Sequence, residues 1–287
     1  MEGIYETLDN GLSWHPKGEL HQNRVYAVAI PKQPSNQKMY VGTLFGLEVS
    51  NDGGETFRLV PTAQKKSIGA IAIHPTNKNI VLAAVGWRDD YNVNNGVDGF
   101  YSKFGLTKEG AVTLFKSTDA GETWTEIQTS ETYGDRNVFA VKFNPANGSE
   151  VYLASDAGIF KSADTGESWV RLPSPSDSNG RAKGVDVSAD GQAVYAVYLT
   201  NADINNNRFQ GNKLEAAIYV SRTSSIAWQN VTGSLENYSF WLPEVDPRST
   251  GATHKLIVSM DAERKGLFEG KVTWNSSYNS ASPSSVS

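Results

Sequence analysis

An octapeptide of the form S/T-x-D-x-G-x-S/T-W/F returns along this chain, and few folds accommodate it. The copies are Thr7-Leu8-Asp9-Asn10-Gly11-Leu12-Ser13-Trp14, Ser50-Asn51-Asp52-Gly53-Gly54-Glu55-Thr56-Phe57, Ser117-Thr118-Asp119-Ala120-Gly121-Glu122-Thr123-Trp124 and Ser162-Ala163-Asp164-Thr165-Gly166-Glu167-Ser168-Trp169. A further slot, Ser221 to Trp228, keeps the serine and the tryptophan but lacks the Asp and the Gly. The pattern has the physics of a hairpin turn. Asp accepts hydrogen bonds from its own turn. Gly supplies the positive φ that reverses the strand. The terminal aromatic opens the next strand with a large apolar area to bury. A unit copied at this interval buries its apolar face only against its neighbours.

Two more runs of strand type precede each box. The runs 25–30, 68–73 and 137–143 each meet a proline within two residues (Pro31, Pro75, Pro145). The runs 38–42, 80–84, 151–154 and 194–198 follow. β-branched and aromatic residues dominate, bounded by Pro, Asn and Gly. No stretch holds a 3.6-residue period. Each unit therefore reads as four antiparallel strands, A to D, with the box joining C to D. Complete units span 22–62, 67–128, 136–173 and 181–233. Partial units occupy 3–16 and 240–274, and 275–287 is a Ser-rich tail or linker.

The octapeptide is that of the Asp-box, or BNR repeat. The chain resembles Asp-box β-propellers, a group that includes sialidases, xyloglucan-cleaving hydrolases, sortilin-type receptors and photosystem-assembly propellers. The turns Pro75-Thr76-Asn77, Pro145-Ala146-Asn147 and Pro247-Arg248-Ser249 place it nearest the hydrolase and receptor branch. The resemblance covers about residues 3–270. It implies an all-β propeller of four-stranded blades, five to six of them in this chain. It also implies that the boxes are structural turns on the rim, so Asp9, Asp52, Asp119 and Asp164, with Trp14, Phe57, Trp124 and Trp169, are scaffold. Activity does not follow from the fold, because one superfold hosts many functions.

In such a propeller the D-to-A and B-to-C connections share one face, where ligands usually bind. Two long B-to-C insertions, 86–110 and 199–214, project there. Long loops on a rigid frame are the usual carriers of function. The first brings Trp87, Arg88, Asp89, Asp90, Tyr91 and Tyr101 together; the second carries Arg208. Aromatic platforms beside carboxylates suit a sugar surface. Hydrolysis needs two carboxylates flanking the glycosidic bond. In the xyloglucan-cleaving relatives each of two propellers supplies one. Asp89 or Asp90 is the first candidate, followed by Glu244, Asp246 and Asp261. Glu244 and Asp246 have the period-2 spacing that points both the same way on a strand. Arg24, Lys66, Arg136 and Arg181 sit where D-to-A loops enter strand A, and Trp241 begins the last unit beside them as a contact candidate. Their offsets differ from one another and no F/Y-R-I-P motif is present, so sialidase chemistry is not expected. The leading reading is a glycoside-hydrolase-type propeller that binds or cleaves a polysaccharide. The alternative is a non-catalytic module that binds glycan or protein.

Composition narrows the partners. A net charge of -5 offers no general attraction to nucleic acid or anionic lipid. The absence of Cys removes disulfides, thiolate metal sites and Cys nucleophiles. The four His are scattered, so no cofactor or resident metal is expected. Asp90-x-Asn92-x-Asn94 and Asp203-x-Asn205-x-Asn207 match half of a calcium loop but lack its Gly and its final Glu. Four N-x-S/T sequons, at Asn147, Asn230, Asn237 and Asn275, are near chance in so Asn-rich a chain. The longest apolar run, 80–87, has strand length and cannot cross a bilayer. The N-terminus lacks an apolar signal core, so either the protein is cytoplasmic or a signal precedes this numbering; a secreted or extracellular location is the expectation. Both chain ends bring a strand C (3–6 and 266–269), so 287 residues read as an incomplete circle from a longer protein.

Overall fold

The computed structural model describes residues 3–21, 24–32, 37–86, 112–128, 137–200, 216–233, 240–249, 253–260 and 267–273. These residues are β-structure, turns and one 3-10 turn, Pro61–Ala63. No helix among them is long and apolar enough to cross a membrane. The chain divides into two compact units, Met1–Val141 and Lys142–Ser287.

The first unit opens with a two-stranded sheet, β1 (Tyr5–Glu6) and β2 (His15–Pro16). A four-stranded sheet follows in chain order: β3 (Val25–Ala29), β4 (Met39–Thr43), β5 (Gly46–Ser50) and β6 (Arg58–Leu59). The next repeats the pattern with β7 (Ile68–Ile73), β8 (Val81–Val85), β9 (Thr113–Ser117) and β10 (Thr125–Gln128). The boundary between units falls within β11 (Val138–Asn144). That strand leads a sheet with β12 (Asn147–Ser155), β13 (Gly158–Ser162) and β14 (Val170–Arg171). The second unit continues with β15 (Ser178–Val187), β16 (Ala193–Thr200), β17 (Ala216–Arg222) and β18 (Gln229–Asn230). A three-stranded sheet, β19 (Phe240–Val245), β20 (Thr253–Met260) and β21 (Leu267–Thr273), completes it.

Strands β4, β5, β8 and β9 are buried along their whole length. Both faces of these middle strands are covered, which is why 81–85 reads Val-Leu-Ala-Ala-Val instead of alternating. In the first unit the core between the two larger sheets joins Tyr40, Leu47, Val49 and Val60 to Ile68, Val81, Phe115 and Trp124. In the second, Tyr195, Val197, Ile218 and Val220 meet Val245, Leu256, Val258 and Val272. Each such side chain contributes about 1.5–3 kcal/mol when taken from water. The leading strands β3, β7, β15 and β19 each carry a register shift near their start. Such bulges bend a strand and re-aim its side chains.

The four boxes share one hydrogen-bond pattern. In the third, the Ser117 hydroxyl donates to Asp119 Oδ1 (2.8 Å) and accepts the Gly121 N–H (2.7 Å). The Thr123 N–H donates to Oδ1 (2.9 Å) and its hydroxyl to Oδ2 (2.5 Å). Asp9, Asp52 and Asp164 are held in the same way by Ser13, Thr56 and Ser168. Gly121 has φ of 85°, and a Cβ there would meet the Tyr40 ring at 2.6 Å, so the position excludes any side chain. Trp124 and Trp169 are buried and return their indole N–H to the box glycine's or its counterpart's carbonyl, at 3.0 Å to Gly121 and 3.1 Å to Gly166. Trp14 is exposed. In the degenerate slot Ser221 still accepts the Ala227 N–H (2.7 Å), while the Trp228 indole turns to the Pro173 carbonyl (2.7 Å).

One buried titratable pair joins the last two sheets of the second unit. The Tyr195 hydroxyl lies 2.7 Å from His254 Nδ1, and both residues are fully buried. Burial holds the His254 pKa below its ordinary 6.5. The folded protein therefore keeps His254 neutral while the unfolded chain protonates it. Stability linked to this group is present above pH 6.5 and is lost as pH falls. Relative to His254→Gln, the wild type should lose up to about tenfold in its folding constant per pH unit below that point. Urea unfolding of both proteins at pH 7 and 5.5 checks it; parallel losses would refute the assignment.

Candidate functional site

The charged side chains on and around the leading strands form separate groups in the two units. In the first, Lys66 precedes β7 and donates to Glu126 Oε2 of β10 (2.9 Å), with its ammonium 5.4 Å from the Phe115 ring centre. Arg24 stands before β3, exposed, and its carbonyl accepts the Leu44 N–H at 3.1 Å.

The second unit holds two groups. At the start of β15, Arg181 donates through Nε to Asp156 Oδ1 (3.1 Å) and through a terminal nitrogen to the same atom. Lys183 Nζ lies 4.0 Å from that oxygen. Asp156 and Lys183 are both buried. Asp156 sits in the two-residue turn between β12 and β13, where Gly158 takes φ of 110°. This turn is a B-to-C connection of its own sheet. Sequence reading singled out Arg181 but not its acid. The available signal was a lone Asp in a turn whose counterpart between β4 and β5 is Leu44-Phe45.

The other group spans three strands. Lys142 of β11 donates to both oxygens of Glu244 on β19, at 2.9 and 3.0 Å. Its Nζ also lies 3.6 Å from Asp186 Oδ1 on β15. Asp186 is buried, and its Oδ2 accepts the Val245 N–H at 2.7 Å. Burial pushes the Asp186 pKa up to about 6, against the pull of Lys142. Asp246, two residues from Glu244, does not join this group. β19 ends at Val245, and the Asp246 carboxylate accepts the Arg248 N–H (2.9 Å) and guanidinium (2.9 and 2.7 Å). Those bonds hold its pKa well below the usual carboxylate range. The two acids of the period-2 pair are thus held by different cations, Lys142 and Arg248.

Trp241 lies within β19. Trp87, Arg88, Asp89, Asp90, Tyr91, Tyr101, Arg136, Arg208 and Asp261 lie outside the described residues, as do both half-matches to a calcium loop. Among the described residues no three His, Asp or Glu side chains converge as metal ligands.

Comparison with known proteins gives one family and one architecture. The Sortilin-Vps10 family model (sortilin, neurotensin receptor 3) matches residues 112–281. No curated protein matches the chain significantly. Among solved structures, an ancestral GH74 enzyme shares 40% identity over 96% of this chain, with a TM-score of 0.84. The GH74 enzyme of Niastella koreensis shares 20% over 94%, with a TM-score of 0.66. The GH74 xyloglucanase of Xanthomonas campestris shares 13% over 98%, with a TM-score of 0.60. The chain covers 34%, 40% and 42% of these three proteins, so it spans about a third of the first. The fold is that of an Asp-box β-propeller.

Proposed function

The chain belongs to the Sortilin-Vps10 family, and from that premise we propose that it is a carbohydrate-active propeller of glycoside-hydrolase type, directed at an extracellular polysaccharide. The observation that carries this reading is the 40% identity to an ancestral GH74 enzyme, sustained over 96% of the chain. The likeness to a GH74 xyloglucanase makes a xyloglucan-like β-glucan the first ligand to test. The ligand face is the one bearing the insertions 86–110 and 199–214. Asp89 or Asp90 supplies a carboxylate there, and Trp87, Tyr91 and Tyr101 supply stacking surfaces for sugar rings.

A second reading is a binding module without hydrolysis, as in the receptor that gives the family its name. One observation favours it. Both described acids of the candidate set are already engaged, Glu244 with Lys142 and Asp246 with Arg248.

Affinity electrophoresis in gels containing xyloglucan, other β-glucans and sialosides, run beside a reducing-end assay, separates the readings. Retention with release of reducing ends supports the hydrolase. Retention alone supports the module. Neither retention nor release with any glycan defeats the proposal. Under the hydrolase reading, Asp89→Ala/Asp90→Ala should lower release by about a hundredfold or more, the usual cost of losing a general acid or base. Unchanged release would remove these two residues from the mechanism.

A further inference from the structure

The Lys142, Asp186 and Glu244 group occupies one place in three consecutive repeats. Each residue stands three positions ahead of the residue that opens the A-to-B turn: Pro145, Ala189 and Pro247. At the same offset the repeats of the first unit carry Val28 and Ala72, ahead of Pro31 and Pro75. The charges therefore replace apolar residues at a position repeated along the chain.

Their balance is uneven. One ammonium serves two carboxylates. Glu244, the exposed acid, takes it through two short hydrogen bonds, while Asp186, the buried acid, stands 3.6 Å away, beyond a good hydrogen bond. A buried carboxylate needs compensation more than an exposed one. Asp186 receives two backbone N–H groups, from Val245 and Val187. The remaining charge is most simply relieved by a proton.

We propose that these three side chains form a proton-operated switch. Uptake of one proton by Asp186 releases Lys142 to Glu244 alone. Loss of that proton draws Lys142 back towards β15 and loosens its hold on Glu244. The state of Asp186 thus sets how far the exposed Glu244 carboxylate is neutralised. The proposal is independent of the glycan reading.

Burial, the largest influence on Asp186, pushes its pKa up to about 6. Lys142 on β11 lowers it and Glu244 on β19 raises it. Tyr195 of β16, the cross-strand partner of Asp186, is engaged with His254 of β20. Lys183, on β15 itself, lies beside Asp156. Because the acid's pKa is raised in the folded state, the fold binds the proton more tightly than the unfolded chain does. The linked stability is fully present below the ordinary carboxylate pKa, near 4, and is lost as pH rises through about 6. The neighbouring His254 acts with the opposite sign, so a comparison with a variant is needed at every pH.

Urea unfolding of wild type and Asp186→Asn from pH 4.5 to 8 provides it. The ratio of their folding constants should shift in favour of the wild type by about tenfold per pH unit as pH falls below 6, and stay level above 7. Glu244→Gln should move that midpoint to lower pH, because Lys142 then serves Asp186 alone. Carbon-13 NMR of the aspartate carboxyls reads the same titration directly, and carries the test with Glu244→Gln if Asp186→Asn does not fold. A ratio constant across the range, or a midpoint unmoved by Glu244→Gln, would overturn the proposal; an Asp186 raised by burial alone, without exchange of Lys142, predicts the unmoved midpoint.

Discussion

Gly86→Ala should keep the first unit from its native packing. A Cβ on Gly86 would lie 1.9 Å from the Val138 carbonyl oxygen and within 2.9 Å of two further backbone atoms of that residue. No rotamer relieves such a contact, because the obstructing atoms are main chain. The Gly86 strand end is itself fixed: its N–H donates to the Ser67 carbonyl (2.9 Å) and its carbonyl accepts the Ser67 hydroxyl (3.1 Å). Gly69 meets the same crossing, since a Cβ there would lie 2.7 Å from the Gly86 oxygen. One of the two segments must move, at a cost of at least about 3 kcal/mol, a large share of a domain's usual stability. Gly53→Ala is the control, since nothing lies within 4 Å of that position and only its positive φ resists; it should cost about 1 kcal/mol. Circular dichroism through a urea titration reports both. A Gly86→Ala midpoint no lower than that of Gly53→Ala would show that the crossing is not as tight as described.

Asp119→Ala carries the second large effect. The substitution removes the acceptor for the Thr123 N–H, the Thr123 hydroxyl and the Ser117 hydroxyl together. It also loosens a turn whose carbonyls are in use. The Ala120 oxygen accepts from Lys38 Nζ and from the Tyr40 hydroxyl, each at 2.9 Å, and the Gly121 oxygen accepts from Trp124. Tyr40 is fully buried and meets Trp124 edge-on at 6.2 Å. Loss of the box therefore reaches the core, and about 2–4 kcal/mol is expected from the bonds left unmade. Asp9→Ala should destabilise less, because Leu8, Leu12 and Trp14 around that box are already exposed. Equal losses in the two variants would mean that the box acts only locally. The Thr123 hydroxyl, first among the bonds to the carboxylate, holds the Asp119 pKa down to about 2. The contribution is thus present above the ordinary carboxylate pKa and is lost as pH falls towards 2.

The fold was legible because its determinants are local. Every box bond runs between residues two to four apart, so an octapeptide displays the whole motif. The middle strands show as unbroken apolar runs because both their faces are covered. The charged group on β11, β15 and β19 was hidden because Lys142 and Glu244 are 102 residues apart. Aligning the repeats on the A-to-B turn would have exposed three charges at one offset. Asp156 was hidden for another reason: its two cations follow about 25 residues later, on the next repeat's leading strand. The partners of Glu244 and Asp246 were hidden too, because period-2 spacing says nothing of which cation, Lys142 or Arg248, meets each acid.

The sheets keep their strands in chain order, and this has a consequence for how such a protein changes over time. β4 and β5 are joined by Leu44-Phe45 alone, whereas β8 and β9 pair in continuous register across residues 86–112. Lengthening a loop of two residues to that extent costs only about 2 kcal/mol in closure entropy. The same connection in another repeat, between β16 and β17, is also long, and Leu199 still pairs with Ala216. The B-to-C link is therefore a splice point, where new sequence is admitted without shifting any strand. A lineage can exchange the sequence carried at these links while inheriting the frame unchanged, and a designer can graft at the same two places.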